Sequence, residues 1–262
     1  MARVIRELVK NAAARLGFGV FKVRGRYHED GLFTIHSQAW RDAPEFRAAY
    51  ARGIQASDGI DPGLEWRVHV AFWAASVALD APGDFVECGV NAGFISSAIM
   101  HKLDWSNIAR EFYLIDTFTG PVLGQYSSEE ISRGRLEIAQ ASLAHGAYVT
   151  DLDRVRANFS EWPNAVVIPG AVPEILRARD FGQVAFVHID MNCAAPEIAA
   201  FEFFWDRLPP GGVILFDDYG YWGHDSQRQA VDQAAQRLGC AVLSLPTGQG
   251  LIVKSSHPFP SR

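Results

Sequence analysis

From Asp84 onward, short apolar runs alternate with stretches of helical spacing. The runs are 84–90 (DFVECGV), 111–118 (EFYLIDTF), 165–170 (AVVIPG), 184–191 (VAFVHIDM), 212–219 (GVILFDDY), 240–247 (CAVLSLPT) and 250–254 (GLIVK), and each predicts a strand. Helical spacing falls at 92–103, 151–158, 173–179, 195–207 and 225–238. The runs are continuously apolar rather than alternating, which predicts a parallel sheet with helices on both faces. Only Gly248 and Gln249 separate the last two runs, so they predict a hairpin with one antiparallel edge strand. The fold class is therefore α/β, with a seven-stranded, mostly parallel sheet and an antiparallel last strand.

Ahead of the strands, Asp42–Ile54 and Gly63–Leu79 carry large apolar residues at helical spacing. The expected organisation is a helical N-terminal extension or lid over 1–60 and a main domain over 61–262. That domain carries an insertion at 119–150, too long for a simple connection and so a lid or binding segment. Near the start, Arg3, Arg6, Lys10, Arg15, Lys22, Arg24 and Arg26 face only Glu7, and Val4, Ile5, Leu8, Val9 and Leu16 complete a basic amphipathic helix. Such a helix suits a membrane surface or acidic partner, or packs on its own domain or on a second subunit. The aromatic residues Trp66, Trp73, Phe201, Phe203, Phe204 and Trp205 read as core.

Composition narrows the function. A net charge of -6 argues against a general nucleic-acid binder, which needs a Lys/Arg surplus. No apolar stretch is long enough to span a membrane, and the charged N-terminus lacks the continuous apolar segment of a signal peptide. Cys88, Cys193 and Cys240 are far apart and odd in number, as expected of reduced thiols in a cytoplasmic protein.

In an open parallel sheet, ligands bind beyond the carboxyl ends of the strands. The first such end reads E-x-G-x-x-x-G, from Glu87 and Gly89 to Gly93. Gly89 permits a tight turn, and Gly93 would let a ligand approach the next helix, whose amides favour a carboxylate. An acid in place of the first glycine of a dinucleotide fingerprint repels a pyrophosphate but suits an ammonium group, as in the methionine part of S-adenosylmethionine (SAM). Asp116, at the second strand tip, either accepts ribose hydroxyls or caps the following turn. Asp190 ends the fourth strand, and Asp217 and Asp218 end the fifth. Adjacent strands lie about 4.8 Å apart, so three acids there repel unless protonated or neutralised by a cation. Oxygen donors favour Mg²⁺, Mn²⁺ or Ca²⁺; the alternative is that one Asp binds and the other caps a helix. His188 is expected to point away from Asp190, and Tyr219, Tyr221 and Trp222 either wall an acceptor pocket or pack.

The combination of DFVECGVNAGF, FYLIDTFTG, NFSEWPNAVVIPGAVPEIL, FVHIDMN and LPPGGVILFDDYGY resembles the macrocin O-methyltransferase (TylF-like) family over about residues 60–240. The resemblance implies a Rossmann-like class I methyltransferase fold, and a SAM- and divalent-metal-dependent O-methyltransferase acting on a small hydroxylated acceptor, such as a sugar of a natural product or glycan. It implies that Glu87, Cys88, Gly89, Val90, Asn91 and Gly93 hold the methionine part of SAM, with Asp116, Thr117 and Phe118 at the ribose. It places Gly170, Ala171 and Val172 near the adenine, and Asp190, Asp217 and Asp218 on a metal that also holds the acceptor. A homo-oligomer is expected as well.

One position departs from the family. Members commonly read HIDxD, the second Asp serving as general base, whereas this chain has Asn192 there. An amide cannot take the proton. Either coordination acidifies the hydroxyl, or His224 supplies the base, or methyl transfer is lost or altered. In the last case the chain is an isomerase- or cyclase-like enzyme, or a SAM-binding partner subunit.

Overall fold

The computed structural model describes residues 2–17 and 27–257 and divides into two compact units, Met1–Gln38 and Ala39–Arg262. The first unit contains α1 (Ala2–Arg15) and an antiparallel pair, β1 (Tyr27–Glu29) and β2 (Leu32–Thr34). The amphipathic helix is present, with Ile5, Leu8 and Val9 exposed; Lys22, Arg24 and Arg26 lie outside the described residues.

The second unit begins with α2 (Pro44–Ala56) and α3 (Glu65–Ala78). Sheet and helices then alternate: β3 (Asp84–Cys88), α4 (Phe94–Lys102), β4 (Phe112–Asp116), α5 (Ser128–Ser132), α6 (Arg135–Ala144), α7 (Leu152–Asn158), β5 (Ala165–Pro169), α8 (Glu174–Arg177), β6 (Val184–Ile189), α9 (Ala194–Trp205), β7 (Val213–Phe216), α10 (Asp225–Leu238), β8 (Leu243–Ser244) and β9 (Gly250–Val253). α2 was expected in the N-terminal extension but belongs to this unit, where Tyr50 meets Phe94 of α4 edge to face with ring centroids 5.4 Å apart.

The sheet order is β5-β4-β3-β6-β7-β9-β8. The pairs from β5 through β7 are parallel, and β9 runs antiparallel to both β7 and β8. The antiparallel strand is thus the last in the chain, but it lies inside the edge that β8 forms. β8 is shorter than its apolar run. Cys240 N donates to Ala235 O at the end of α10, and Leu245 N to Gln249 O in the turn, which leaves two residues to pair.

Side-chain alternation builds a core on each face. Phe85, Phe112, Phe186 and Leu215 pack towards α2, α3 and α4, while Val86, Val187, Ile214, Phe201 and Phe204 pack with α9 and α10. Trp73, expected in the core, is 52% exposed. The 119–150 insertion is helical and anchored. Glu130 accepts from Ser127 N in a capping box at α5, and its second oxygen accepts from Ala194 N at the start of α9 at 2.9 Å. β6 and β7 are neighbours in register, so Asp190 and Asp217 come together at their tips.

Candidate active site

Two cavities open at the carboxyl ends of the strands. The first, of about 800 Å³, is walled by Gly89, Asn91, Asp116, Thr117, Gly170–Val172 and Asp190 among others. Of the residues expected at the cofactor, Glu87, Cys88, Val90, Gly93 and Phe118 stand behind this wall rather than in it. Cys88 and Val90 are core, and Phe118 packs in the core with φ 50°. At Gly93 a Cβ would lie 2.4 Å from the Phe159 ring, so the glycine makes room for that ring. Glu87 is buried with Oε1 on His188 Nδ1 at 2.8 Å, while its Oε2 has no partner. A buried orphan oxygen at this strand end fits the ammonium group expected of SAM.

Asp116 holds the turn. Its Oδ2 accepts from Val90 N (2.8 Å) and Asn91 N (2.9 Å), and its Oδ1 from Phe118 N (2.9 Å). The capping alternative is therefore realised, and the remaining lone pairs on a wall residue leave ribose contact open. The Asn91 side chain is engaged by the insertion, donating to Ala147 O and accepting from Val149 N.

The acid cluster differs most from expectation. Arg67, buried on α3, donates from Nη1 to Asp217 Oδ2 (2.5 Å), Asp217 O (3.0 Å) and Asp218 Oδ1 (3.2 Å). The other Asp217 oxygen accepts from Gln249 Nε2 at 2.9 Å and lies 3.5 Å from His188 Nε2. His188 was expected to point away, but residues two apart share a strand face, and it lies between Glu87 and Asp217. Burial opposes charge on His188, yet the neighbouring Asp217 and Glu87 carboxylates outweigh it and push its pKa up to about 10. Burial would raise Asp217, but Arg67 and His188 hold it well below the usual carboxylate range. Asp190 is pushed well above that range by burial and then by Asp217 and Asp218. Its Oδ1 accepts from Asn192 Nδ2 at 3.2 Å.

These donors do not fit the divalent ion that the resemblance implies. Both Asp217 side-chain oxygens face protein donors, and an ion on Asp217 and Asp218 would meet the Arg67 charge between them. Among the described residues, no group of three or more His, Cys, Asp or Glu is placed to hold a metal. Arg67 pairs with both acids of the β7 tip, and His188 faces the other oxygen of Asp217.

A second cavity, of about 750 Å³, adjoins the first. Arg67, Arg135, Asp218, Tyr221 and His224 line it, and it shares Tyr126, Tyr148, Asp190 and Asn192 with the first. Of the aromatics after the acid pair, only Tyr221 walls this cavity; the Tyr219 hydroxyl donates to Asp232, and Trp222 is exposed. His224 is buried at the start of α10, with Nδ1 3.6 Å from Asp218 Oδ2. Nδ1 is buried without a hydrogen bond, and the residue lines the cavity. Burial lowers the His224 pKa, favouring the uncharged ring.

A seven-stranded sheet of this order, parallel from β5 through β7 with an antiparallel β9, flanked by helices and with cavities at its strand tips, is the class I methyltransferase fold. The macrocin O-methyltransferase (TylF) family matches residues 69–239. A Streptomyces olivaceus protein, the 8-demethyl-8-(2,3-dimethoxy-alpha-L-rhamnosyl)-tetracenomycin-C 4'-O-methyltransferase, is 30% identical over 185 residues, 68% of this chain and 67% of that protein. Among solved structures, the O-methyltransferase NovP superposes with a TM-score of 0.61 at 18% identity, covering 72% of this chain and 79% of that one. The calicheamicin methyltransferase CalS11 gives 0.56 at 15% identity, covering 88% and 99%. The chain belongs to the macrocin O-methyltransferase family and is a SAM-dependent O-methyltransferase.

The sequence reading missed Arg67, Gln249 and the pair Glu197–Gln227, in which Gln227 Nε2 donates to the buried Glu197 at 3.0 Å beneath the site. For Arg67 a signal exists. A lone arginine in the apolar run WRVHVAFWAA is buried only if paired, and a buried guanidinium seeks carboxylates.

Proposed function

We propose that the chain methylates a hydroxyl of a sugar carried by a natural product, with His224 as general base. The observation that carries this reading is the shared wall. Tyr126, Tyr148, Asp190 and Asn192 border both cavities, so a methyl donor in one and a hydroxyl in the other meet there. Fixing the two partners in adjoining sites replaces a bimolecular encounter with an oriented displacement. His224 Nε2 takes the hydroxyl proton while Asp218 stabilises the imidazolium through Nδ1; the oxygen bonds to the methyl carbon, and the electron pair of the broken C–S bond stays on sulfur. The 3.6 Å separation of His224 and Asp218 is loose for such a dyad, and contacts of this kind tighten when substrate binds. Asn192 cannot act as base and instead donates to Asp190.

The names of the tetracenomycin enzyme and of CalS11 support a glycosylated natural product as acceptor. Burial of Cys88 and Cys193, with all three thiols free, supports a cytoplasmic enzyme. The exposed Ile5, Leu8 and Val9 on α1 support a homo-oligomer, which sedimentation velocity would test.

The test supplies methyl-labelled SAM with rhamnosylated and other deoxysugar glycosides. Label should enter the sugar, and His224→Asn should lower kcat by about a hundredfold or more with KM little changed. An unchanged kcat removes His224 as base. No transfer to any glycoside removes the acceptor class.

A further inference from the structure

We propose that Arg67 is the resident cation of this active site, standing where the family resemblance puts a divalent ion, so that methyl transfer here needs no metal. The proposal rests on the methyl-transfer reading for its activity arm alone.

Arg67 meets the positional demands of such an ion. One nitrogen touches a side-chain oxygen of each paired acid, at 2.5 Å to Asp217 and 3.2 Å to Asp218, and also the Asp217 carbonyl at 3.0 Å. These three oxygens come from the β7 tip and converge on one point, the arrangement an oxygen-liganded cation needs. The guanidinium is held from behind as well: its central carbon lies 4.6 Å from the Tyr221 ring centroid, over the ring face. It lines the acceptor cavity while only 4% of the residue is exposed. A side chain so buried, fixed from both ends, does not leave when an ion arrives.

The surroundings have adapted to a covalently attached charge. Gln249 covers the Asp217 oxygen that Arg67 leaves, donating at 2.9 Å, and Thr247 Oγ1 donates to the Gln249 carbonyl oxygen at 2.9 Å. That second bond fixes which way the amide points, so Gln249 offers its NH₂ to Asp217 and competes with any metal there. Asn192 adds to the same account. Where family members carry the carboxylate read as general base, the amide donates to Asp190 at 3.2 Å and so turns a donor towards the acid cluster.

Arg67 is a positioning residue in this scheme. It holds the acid pair, and through Asp218 it holds the partner of His224. The role needs no direct contact with the acceptor.

The experiment titrates Mn²⁺ into full-length wild type, Arg67→Met and Arg67→Lys, and follows free Mn²⁺ by electron paramagnetic resonance. Wild type and Arg67→Lys should leave Mn²⁺ free. Arg67→Met removes the charge at similar bulk and frees the Asp217 and Asp218 oxygens that the guanidinium holds, so it should bind about one ion per chain. Methyl transfer by wild type should change less than about twofold in excess chelator, since no step depends on a removable ion. Arg67→Met should lose about a hundredfold in kcat, as when a preorganised electrostatic donor is removed. Stoichiometric Mn²⁺ binding by wild type, or chelator inactivation reversed by Mg²⁺, overturns the proposal; so does a folded Arg67→Met that binds no Mn²⁺. If Arg67→Met does not fold, the wild-type arms decide alone. The Mn²⁺ arm needs no acceptor, so a wrong acceptor class leaves it readable.

Discussion

Gly89→Ala tests how closely the strand tips approach beneath the cofactor. Gly89 has φ +92°, and a Cβ there would lie 1.7 Å from Asp190 O and 2.5 Å from Asp190 C. Both are backbone atoms, so no rotamer relieves the clash. The tip of β6 must retreat by about 1.3 Å to reach the 3.0 Å that real Cβ contacts respect. Retreat strains the bond from Asp190 N to Cys88 O, now 2.8 Å, and carries the Asp190 carboxyl with it. The backbone term for an L-residue at positive φ is about 1–2 kcal/mol. Displacing packed backbone adds about 1–3 kcal/mol, and a weakened buried hydrogen bond about 1 kcal/mol. The sum, about 3–6 kcal/mol, is a large share of the roughly 5–15 kcal/mol that holds a domain together. Gly239→Ala is the control: φ is +68° and nothing lies within 4 Å of its Cβ position, so it reports the backbone term alone. Urea unfolding should show Gly89→Ala less stable than Gly239→Ala by about 2 kcal/mol or more, and calorimetry should show weaker binding of S-adenosylhomocysteine. Equal unfolding midpoints for the two variants would refute the close approach.

Asp116→Asn keeps one acceptor oxygen for amides now served by two, so it should weaken S-adenosylhomocysteine binding by about tenfold or more, read by calorimetry. Unchanged affinity would mean that the turn holds without its carboxylate. Burial, then the charge of Asp218, pushes the Glu197 pKa up to about 8. Its folded pKa thus exceeds the unfolded value, so the protonated form is favoured on folding. The associated stability is full below about pH 4.3 and is lost as pH rises through 8. Urea midpoints should fall across that window in wild type and flatten in Glu197→Gln; parallel curves would count against it. Cys193, on the cofactor cavity wall, has its thiol pushed up to about 12, first by burial and then by Glu130. At pH 8 it should alkylate roughly a thousandfold more slowly in native than in unfolded protein, and equal rates by peptide mapping would contradict its burial.

What the sequence made legible follows from what periodicity encodes. Five continuously apolar runs with helices between them leave little choice but a parallel sheet, and acids at strand tips are visible as the residues that end each run. Asp190, Asp217 and Asp218 were therefore visible as strand ends, and the strands that carry them, β6 and β7, are the neighbours that the reading assumed. Side-chain partners across elements carry no such period. Glu87 turned behind the wall because His188, on the adjacent strand, offers it a nitrogen at 2.8 Å. Gly93 looked like a ligand's clearance but is Phe159's, since a glycine records that space is needed and not what fills it. The same limit explains the cation. Repulsion among the acids demanded protonation or a positive charge at that place, and an ion is the only kind of charge a local motif suggests. The charge came from a helix 150 residues away in sequence, joined to the acids only by folding. A carboxylate cluster thus predicts that it will be neutralised, and the search for what neutralises it should begin with arginines buried in apolar helices before turning to metals.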